Sequence, residues 1–271
     1  MTDRAIHSDY LVHWTGKDLD ERYDPNWMEH PNGHSKTSTE LAQRYVRRLA
    51  NTLKFGLWMT VEPGSSYGPI TLPDTPKCCF TELRLSESRR HAQKYGRLGI
   101  GVKRPFLFKR MGRPLAYFGF DQNSKDPLLN GCARDLQDDR LLHFFKPMNT
   151  DAKRLVYDYY DESEWRILLF QELLNKRLIV DPRDPQNVEQ HKYFNSLSDV
   201  EQDKLKYLIP LDGWFSMIIY PSILAKSISQ PLYQSEIPEL IREIKSGTDH
   251  GNRVERGNWP IEINLDSCRH F

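Results

Sequence analysis

An acidic segment at positions 161–169 has the residue types needed for acid–base or electrostatic catalysis. Its sequence, Asp-Glu-Ser-Glu-Trp-Arg-Ile-Leu-Leu, places carboxylates directly before an apolar run that is typical of a buried strand. Because side chains alternate along a strand, Glu162, Glu164 and Arg166 share one face, and Glu164 can pair with Arg166. A carboxylate at a strand end can act as a general base or stabilise an oxocarbenium ion. A purely structural ion pair is the alternative interpretation.

A histidine, His13, lies in a second segment of interest at positions 9–15. The aromatic and branched residues of this segment predict a strand that ends at Gly16. A strand histidine either forms hydrogen bonds in the core or takes part in catalysis. Both interpretations stay open from the sequence alone.

A third segment runs from Ser86 to Gly101. Ser86 is placed to cap a short helix that ends at Tyr95, and Gly96 follows as its stop. Gly99 and Gly101 alternate on one face of the next predicted strand, which leaves room for a ligand or for a packed neighbour. These glycines precede a strand instead of opening a helix, so they do not match a dinucleotide-binding fingerprint.

The helix predicted between the second and third segments has clear start and stop signals. Thr37 and Glu40 fit a capping box, and Gly56 fits the stop. The spacing predicts one apolar face and one basic face, namely Leu41, Tyr45, Leu49 and Leu53 opposite Arg44, Arg47, Arg48 and Lys54. The basic face is either solvated or faces a substrate.

Short strands mixed with few helices indicate the α+β class. Further strands are predicted at 77–82, 98–102, 114–120, 164–170 and 214–220, and a late helix at 237–245. Because these elements lack a regular strand–helix alternation, a doubly wound sheet is disfavoured. We expect a single domain over 1–271, with a core at about 9–225 and a C-terminal helix and tail at 226–271. The polar stretch 181–203 is interpreted as an insertion.

Composition narrows the function classes. The 38 basic and 37 acidic residues give a net charge of +1, so the overall charge does not indicate electrostatic binding to nucleic acid. The N-terminus lacks the order of a signal peptide, and the longest uncharged stretch, at 214–225, is too short for a membrane span. The four cysteines lack metal-ligand spacing, so no metal is expected. We therefore expect a cytoplasmic protein without a membrane partner.

The order of these motifs resembles the abortive-infection AbiGi family of bacteria. The resemblance rests on His13-x-Thr15, on the segment 53–57, on Cys79-Phe80-Thr81-Glu82 and on Tyr95-Gly96 with Gly99-Ile100-Gly101. It ends with Glu162-Ser163-Glu164-Trp165-Arg166. The family looks like a relative of the ADP-ribosyltransferase fold. The resemblance thus implies a split β-sheet core with flanking helices.

The resemblance also implies a site at which NAD is bound as a substrate. His13 and Thr15 would contact the NAD ribose, Tyr95 would stack on nicotinamide, and Ser86 would contribute to cofactor binding. Glu164 would hold the ribose hydroxyl or activate the acceptor, with support from Arg166 and Glu162. Tyr67 and Tyr117 are alternatives to Tyr95. These assignments make His13, Tyr95 and Glu164 the expected catalytic residues.

The resemblance leaves the partner open. As a phage-defence or toxin–antitoxin enzyme the protein would modify a nucleic-acid or protein acceptor, with Arg44, Arg47 and Arg89 binding that substrate. As an inactive antitoxin or sensor it would act through a cognate partner. A third alternative is a Mg²⁺-dependent nuclease. The interface candidates of the inactive form are Trp27, Trp259 and Phe271, and the metal-binding candidates of the nuclease are Asp161, Glu162 and Glu164.

Overall fold

The protein is a mixed α+β structure, as the sequence predicts. The computed structural model describes residues 9–29, 38–67, 70–82, 88–119, 131, 133–148, 150–151, 156–157, 163–230, 236–246 and 259–269. Seven strands form its main, mixed sheet, with helices beside them. No helix within these residues has the length and apolarity that crossing a membrane requires.

The strands and helices are numbered along the chain. The strands are β1 (Tyr10–Thr15), β2 (Leu57–Met59), β3 (Ser66–Tyr67), β4 (Ile70–Thr71), β5 (Lys77–Glu82), β6 (Leu98–Lys103), β7 (Arg113–Pro114), β8 (Ala116–Gly119), β9 (Phe145–Met148), β10 (Thr150–Asp151), β11 (Val156–Tyr157), β12 (Glu164–Leu168), β13 (Tyr207–Ile209), β14 (Phe215–Tyr220) and β15 (Ile261–Asn264). The helices are α1 (Lys17–Tyr23), α2 (Thr39–Phe55), α3 (Ser88–Tyr95), α4 (Arg104–Lys109), α5 (Gln171–Asn175), α6 (Val188–Asn195), α7 (Asp199–Lys204), α8 (Ile223–Ser229) and α9 (Glu236–Ser246).

These elements belong to two compact units. Unit 1 comprises Met1–Leu57, Glu82–Phe106 and Pro210–Phe271, and unit 2 comprises Trp58–Thr81 and Leu107–Ile209. Each unit is therefore built from discontinuous segments. The expectation of a single domain stays a prediction.

In unit 1 the strands follow the order β15-β14-β6-β1. β1 is antiparallel to β6, with Thr15 opposite Leu98, and β14 is antiparallel to β6 and parallel to β15. The strands predicted around 9–15, 98–102 and 214–220 are thus confirmed. Their residues alternate or are apolar throughout, which is the local pattern that a buried sheet requires.

Gly99 and Gly101 make room for side chains of β14. A β-carbon at Gly101 would lie 2.6 Å from the Met217 Cβ, and one at Gly99 would lie 3.0 Å from the Ile219 Cβ. Both distances are shorter than ordinary contacts between carbon atoms. The packing interpretation of these glycines is therefore confirmed.

Helix α2 follows its predicted apolar stripe but not its predicted cap. Ser38 is the N-cap, and its hydroxyl accepts a hydrogen bond from the Leu41 backbone N–H at 3.1 Å. The Thr37–Glu40 capping box is therefore wrong, and Thr37 itself lies outside the described residues. The helix ends at Gly56, whose φ of 112° favours glycine. The residues of the apolar stripe are all buried, namely Leu41, Tyr45, Leu49 and Leu53.

In unit 2, β12 lies between β5 and β7 and is antiparallel to both. Its register with β5 runs from Glu164 opposite Thr81 to Leu168 opposite Lys77. The strand predicted at 114–120 is divided into β7 and β8, and Leu115 between them donates its N–H to the Glu164 carbonyl. The helices α6 and α7 lie between the paired residues Val180 and Leu208, and the interpretation of 181–203 as an insertion stays a prediction.

Candidate functional site

Glu164 is the first residue of β12 and is only 6% exposed. Its Oε1 accepts a hydrogen bond from Arg166 Nε at 2.7 Å, and its Oε2 accepts one from Lys146 Nζ at 2.7 Å. The predicted pair of Glu164 and Arg166 is therefore confirmed. Lys146 is a second cation that the sequence did not indicate.

Further hydrogen bonds fix the backbone of Glu164 and the side chain of its partner Arg166. Its backbone N–H donates to the Tyr117 hydroxyl at 2.9 Å. Tyr117 and Lys146 are direct neighbours across the parallel pair β8–β9, so one small sheet brings both side chains to Glu164. Arg166 also donates from Nη1 to the His143 carbonyl at 2.6 Å. The carboxylate and its backbone are thus both held within unit 2.

The charges around Glu164 keep it ionised. Burial alone would raise its pKa, but the positive charges of Arg166 and Lys146 outweigh burial and lower the pKa to about 2. Burial and the nearby Glu164 carboxylate raise the pKa of the Cys79 thiol to about 12. At neutral pH the site therefore holds a carboxylate and a protonated thiol, which excludes Cys79 as a thiolate nucleophile.

His143 is a further buried group beside this site. Its Nε2 lies 2.7 Å from the Pro73 carbonyl, so Nε2 carries the proton, and burial lowers the pKa of the ring. Among the described residues its Nδ1 has no hydrogen-bond partner. His143 therefore contributes a neutral ring and, through its carbonyl, a fixed acceptor for Arg166.

The other predicted catalytic residues lie in unit 1. Along β1, Val12 and Trp14 point into an apolar cluster, so His13 and Thr15 point to the opposite face. Tyr95 packs against the cluster of Val12 and Trp14. The structure thus places Tyr95 on the face away from His13 and Thr15, and the stacking role of Tyr95 stays a prediction. The alternative, Tyr117, contacts Glu164 directly.

The predicted substrate-binding arginines mostly have partners within the protein. Arg44 pairs with Glu40 at 2.7 Å and its guanidinium lies 4.4 Å from the Tyr23 ring centroid. Arg47 is exposed, and Arg89 lies 5.4 Å from the Trp27 ring centroid. These contacts favour the solvated interpretation of the basic helix face.

One interface prediction is wrong. Trp27 is only 4% exposed, because it belongs to the apolar cluster of Val12 and Trp14. Trp259 is half-buried. Five candidates for the various predicted roles lie outside the described residues, namely Ser86, Asp161, Glu162, Phe271 and the side chain of Tyr67.

Unit 1 contains a second buried ionic cluster, centred on Arg97. The guanidinium donates from Nε to Asp20 Oδ1 at 2.7 Å and from Nη2 to Asp24 Oδ2 at 3.1 Å. The Tyr45 hydroxyl accepts from the Arg97 backbone N–H at 3.4 Å and donates to the Gly16 carbonyl at 3.0 Å. This cluster joins the end of β1 to α1, α2 and β6.

Sequence reasoning missed Lys146, His143 and the Arg97 cluster. The local signal for the first two was that His143 and Lys146 interrupt the apolar run 141–147, whose sequence is Leu-Leu-His-Phe-Phe-Lys-Pro. Such a residue needs a partner when the run is buried. No local pattern identifies which partner that is.

Comparisons with known proteins do not assign the chain to a family. No protein-family model, curated protein or solved structure matches the chain. Within the described residues, no group of three or more His, Cys, Asp and Glu side chains is arranged to hold a metal ion. The Glu164 site is therefore interpreted from its own chemistry and from the motif order.

Proposed function

We propose that the protein is an NAD-dependent ADP-ribosyltransferase in which Glu164 stabilises the positive charge that develops on the ribose. The observation that carries the proposal is a buried carboxylate at the start of β12 whose pKa is lowered to about 2. A carboxylate that is always ionised can stabilise an oxocarbenium ion throughout the physiological pH range. The ADP-ribosyltransferase-like core remains part of this proposal.

The proposed reaction transfers one ADP-ribosyl group. The bond between ribose C1′ and the nicotinamide nitrogen breaks, and its electron pair leaves with nicotinamide. The nucleophile of a nucleic-acid or protein acceptor forms the new bond to C1′ and releases its proton to solvent. Because a carboxylate with a pKa of about 2 is a weak base, Glu164 acts by its charge and not by removing that proton.

The remaining assignments of the proposal follow from the resemblance. His13 and Thr15 contact the NAD ribose, and Arg47, which is exposed, contacts the acceptor. Arg166 supports Glu164 through the 2.7 Å ion pair. The cytoplasmic setting in phage defence belongs to the same proposal.

The direct test is release of nicotinamide from NAD by the wild type and by Glu164→Gln. We expect the substitution to lower kcat by roughly 100-fold or more, as when a group that stabilises transition-state charge is removed. Glu189→Gln is the matched control, because this carboxylate of unit 2 pairs with Lys192 on the exposed surface of α6. Equal rates in the wild type and Glu164→Gln would remove Glu164 from the mechanism.

A second candidate function is an inactive antitoxin or sensor that acts through a protein partner. One observation favours it: both carboxylate oxygens of Glu164 already accept a hydrogen bond from a cation. This candidate predicts no nicotinamide release, no NAD binding in calorimetry and stable co-purification with a cognate partner. Nicotinamide release that is lost in Glu164→Gln excludes it.

A further inference from the structure

The occupied carboxylate poses a specific problem for a reaction at Glu164. Lys146 and Arg166 each donate to one of its oxygens at 2.7 Å. Two positive charges at this distance offset the attraction of the carboxylate for a developing cation. A substrate that uses Glu164 must therefore compete with at least one of the two.

The two cations are not equivalent. Arg166 lies on the same strand as Glu164, its side chain is 7% exposed, and it also donates to the His143 carbonyl. Its planar guanidinium is thus fixed by two acceptors. Lys146 comes from β9, is 13% exposed, and presents a single ammonium on a flexible stem. Because its stem is the more flexible of the two and its side chain the more exposed, Lys146 is the cation that a substrate would displace.

The β8–β9 pair is anchored on the face opposite to Tyr117 and Lys146. Phe118 is buried in an apolar cluster with Leu72 and Leu142, and Phe145 packs against the same cluster. This face anchors both strands, while Tyr117 and Lys146 are the cross-strand neighbours that contact Glu164. The anchoring contacts of Phe118 and Phe145 thus do not involve the Lys146 side chain.

We propose that Lys146 is an exchangeable counter-ion of Glu164, an inference that rests on the proposed function. In the free protein Lys146 holds Oε2. When NAD binds, its cationic nicotinamide ribosyl group takes the place of the ammonium, and Arg166 stays in position. Lys146 is thus a positioning residue that reserves the carboxylate until the substrate arrives.

The test compares Lys146→Met with Lys146→Arg in steady-state NAD turnover. Because the Met variant has no ammonium to displace, we expect its KM for NAD to fall by roughly tenfold, about 1.4 kcal/mol, while kcat changes little. The Arg variant should raise KM, because a guanidinium binds a carboxylate through two parallel hydrogen bonds. A merely structural role predicts the reverse order, with Arg rescuing the activity that Met loses.

Matched controls separate the outcomes. Lys192→Met removes an exposed lysine of the same unit and should leave both constants unchanged. Urea unfolding of each variant measures any loss of folding, and Lys146→Gln replaces Lys146→Met if the latter does not fold. Wild-type turnover with an unchanged or higher KM in both neutral variants overturns the exchange and leaves the proposed function intact. Absence of turnover in the wild type overturns both.

Discussion

Each unit of the protein buries an ionic cluster. In one cluster a cation pairs with two carboxylates, and in the other a carboxylate pairs with two cations. In unit 1, Arg97 pairs with both Asp20 and Asp24. In unit 2, Glu164 pairs with both Lys146 and Arg166. Asp20 is 5% exposed and Glu164 is 6% exposed, so the two carboxylates are equally removed from water.

The pKa shifts of the two carboxylates nevertheless have opposite directions. Burial raises the pKa of Asp20, and Arg97, which is shared with Asp24, does not offset it. Two cations lower the pKa of Glu164 to about 2 despite the same burial. The charged partners of each carboxylate therefore help to set the direction of its pKa shift, and burial alone does not decide it.

The two clusters also differ in how completely they are satisfied. Among the described residues, Oδ2 of Asp20 has no hydrogen-bond partner, whereas both oxygens of Glu164 have one. The Arg97 cluster holds the junction of β1 and α1 through Tyr45 and Gly16, which is a structural task. In the proposed exchange, Lys146 of the Glu164 cluster would instead give way to a substrate.

The largest effect is expected from removing Arg97, the cation of the unit 1 cluster. Arg97→Met removes the partner of the buried Asp20 and of Asp24, which should lower the free energy of unfolding by roughly 3–5 kcal/mol. Arg166→Met should cost less, because Lys146 still neutralises Glu164. Urea unfolding of both variants measures the difference. Adding Asp20→Asn to Arg97→Met should restore part of the stability, and equal losses in the two single variants would contradict the comparison.

A smaller effect with a distinctive pH dependence is expected from Glu164→Gln. The folded pKa of about 2 lies below the usual 4.5. The ionised group therefore stabilises the fold by roughly 3 kcal/mol above pH 4.5, and this contribution is lost as the pH falls towards 2. Unfolding free energies at several pH values should show the variant and the wild type converging in acid.

Two further variants check this pH dependence. The pKa of Asp20 is raised, so Asp20→Asn should change stability with the opposite dependence on pH. Glu189→Gln is a matched control, because Glu189 pairs with Lys192 at 3.1 Å and both side chains are exposed. Its substitution should cost less than about 1 kcal/mol at any pH. If Glu164→Gln and Asp20→Asn changed the unfolding free energy with the same pH dependence, the two carboxylates would not have opposite pKa shifts.

The smallest effects are expected from the two tyrosine hydroxyls. Tyr45→Phe removes a fully buried hydroxyl and leaves the Arg97 N–H and the Gly16 carbonyl without it, at a cost of about 1–3 kcal/mol. Tyr117→Phe removes a hydroxyl from a half-buried side chain, where water can replace it, at a cost below about 1 kcal/mol. Thermal or urea unfolding measures both, and a larger loss for Tyr117→Phe would reverse the expected order.

Much of the local structure could be predicted from the sequence. β1, β5, β6 and β14 follow from short apolar or alternating runs with Gly or Pro at their ends. Helix α9 follows in the same way from its periodicity. The pair of Glu164 and Arg166 could be predicted because residues two apart on a strand share a face. These features depend only on neighbouring residues.

The partners of the buried charges were decided by tertiary structure. Lys146 is 18 positions from Glu164, and Asp20 is 77 positions from Arg97. The packing of Tyr95 on the Val12 and Trp14 face, away from His13, also depends on how α3 folds back on β1. Backbone periodicity sets the face of each side chain within its own element. Which distant charge meets it depends on the free energy of the whole packed core, in which burial is tolerated only where an opposite charge is supplied.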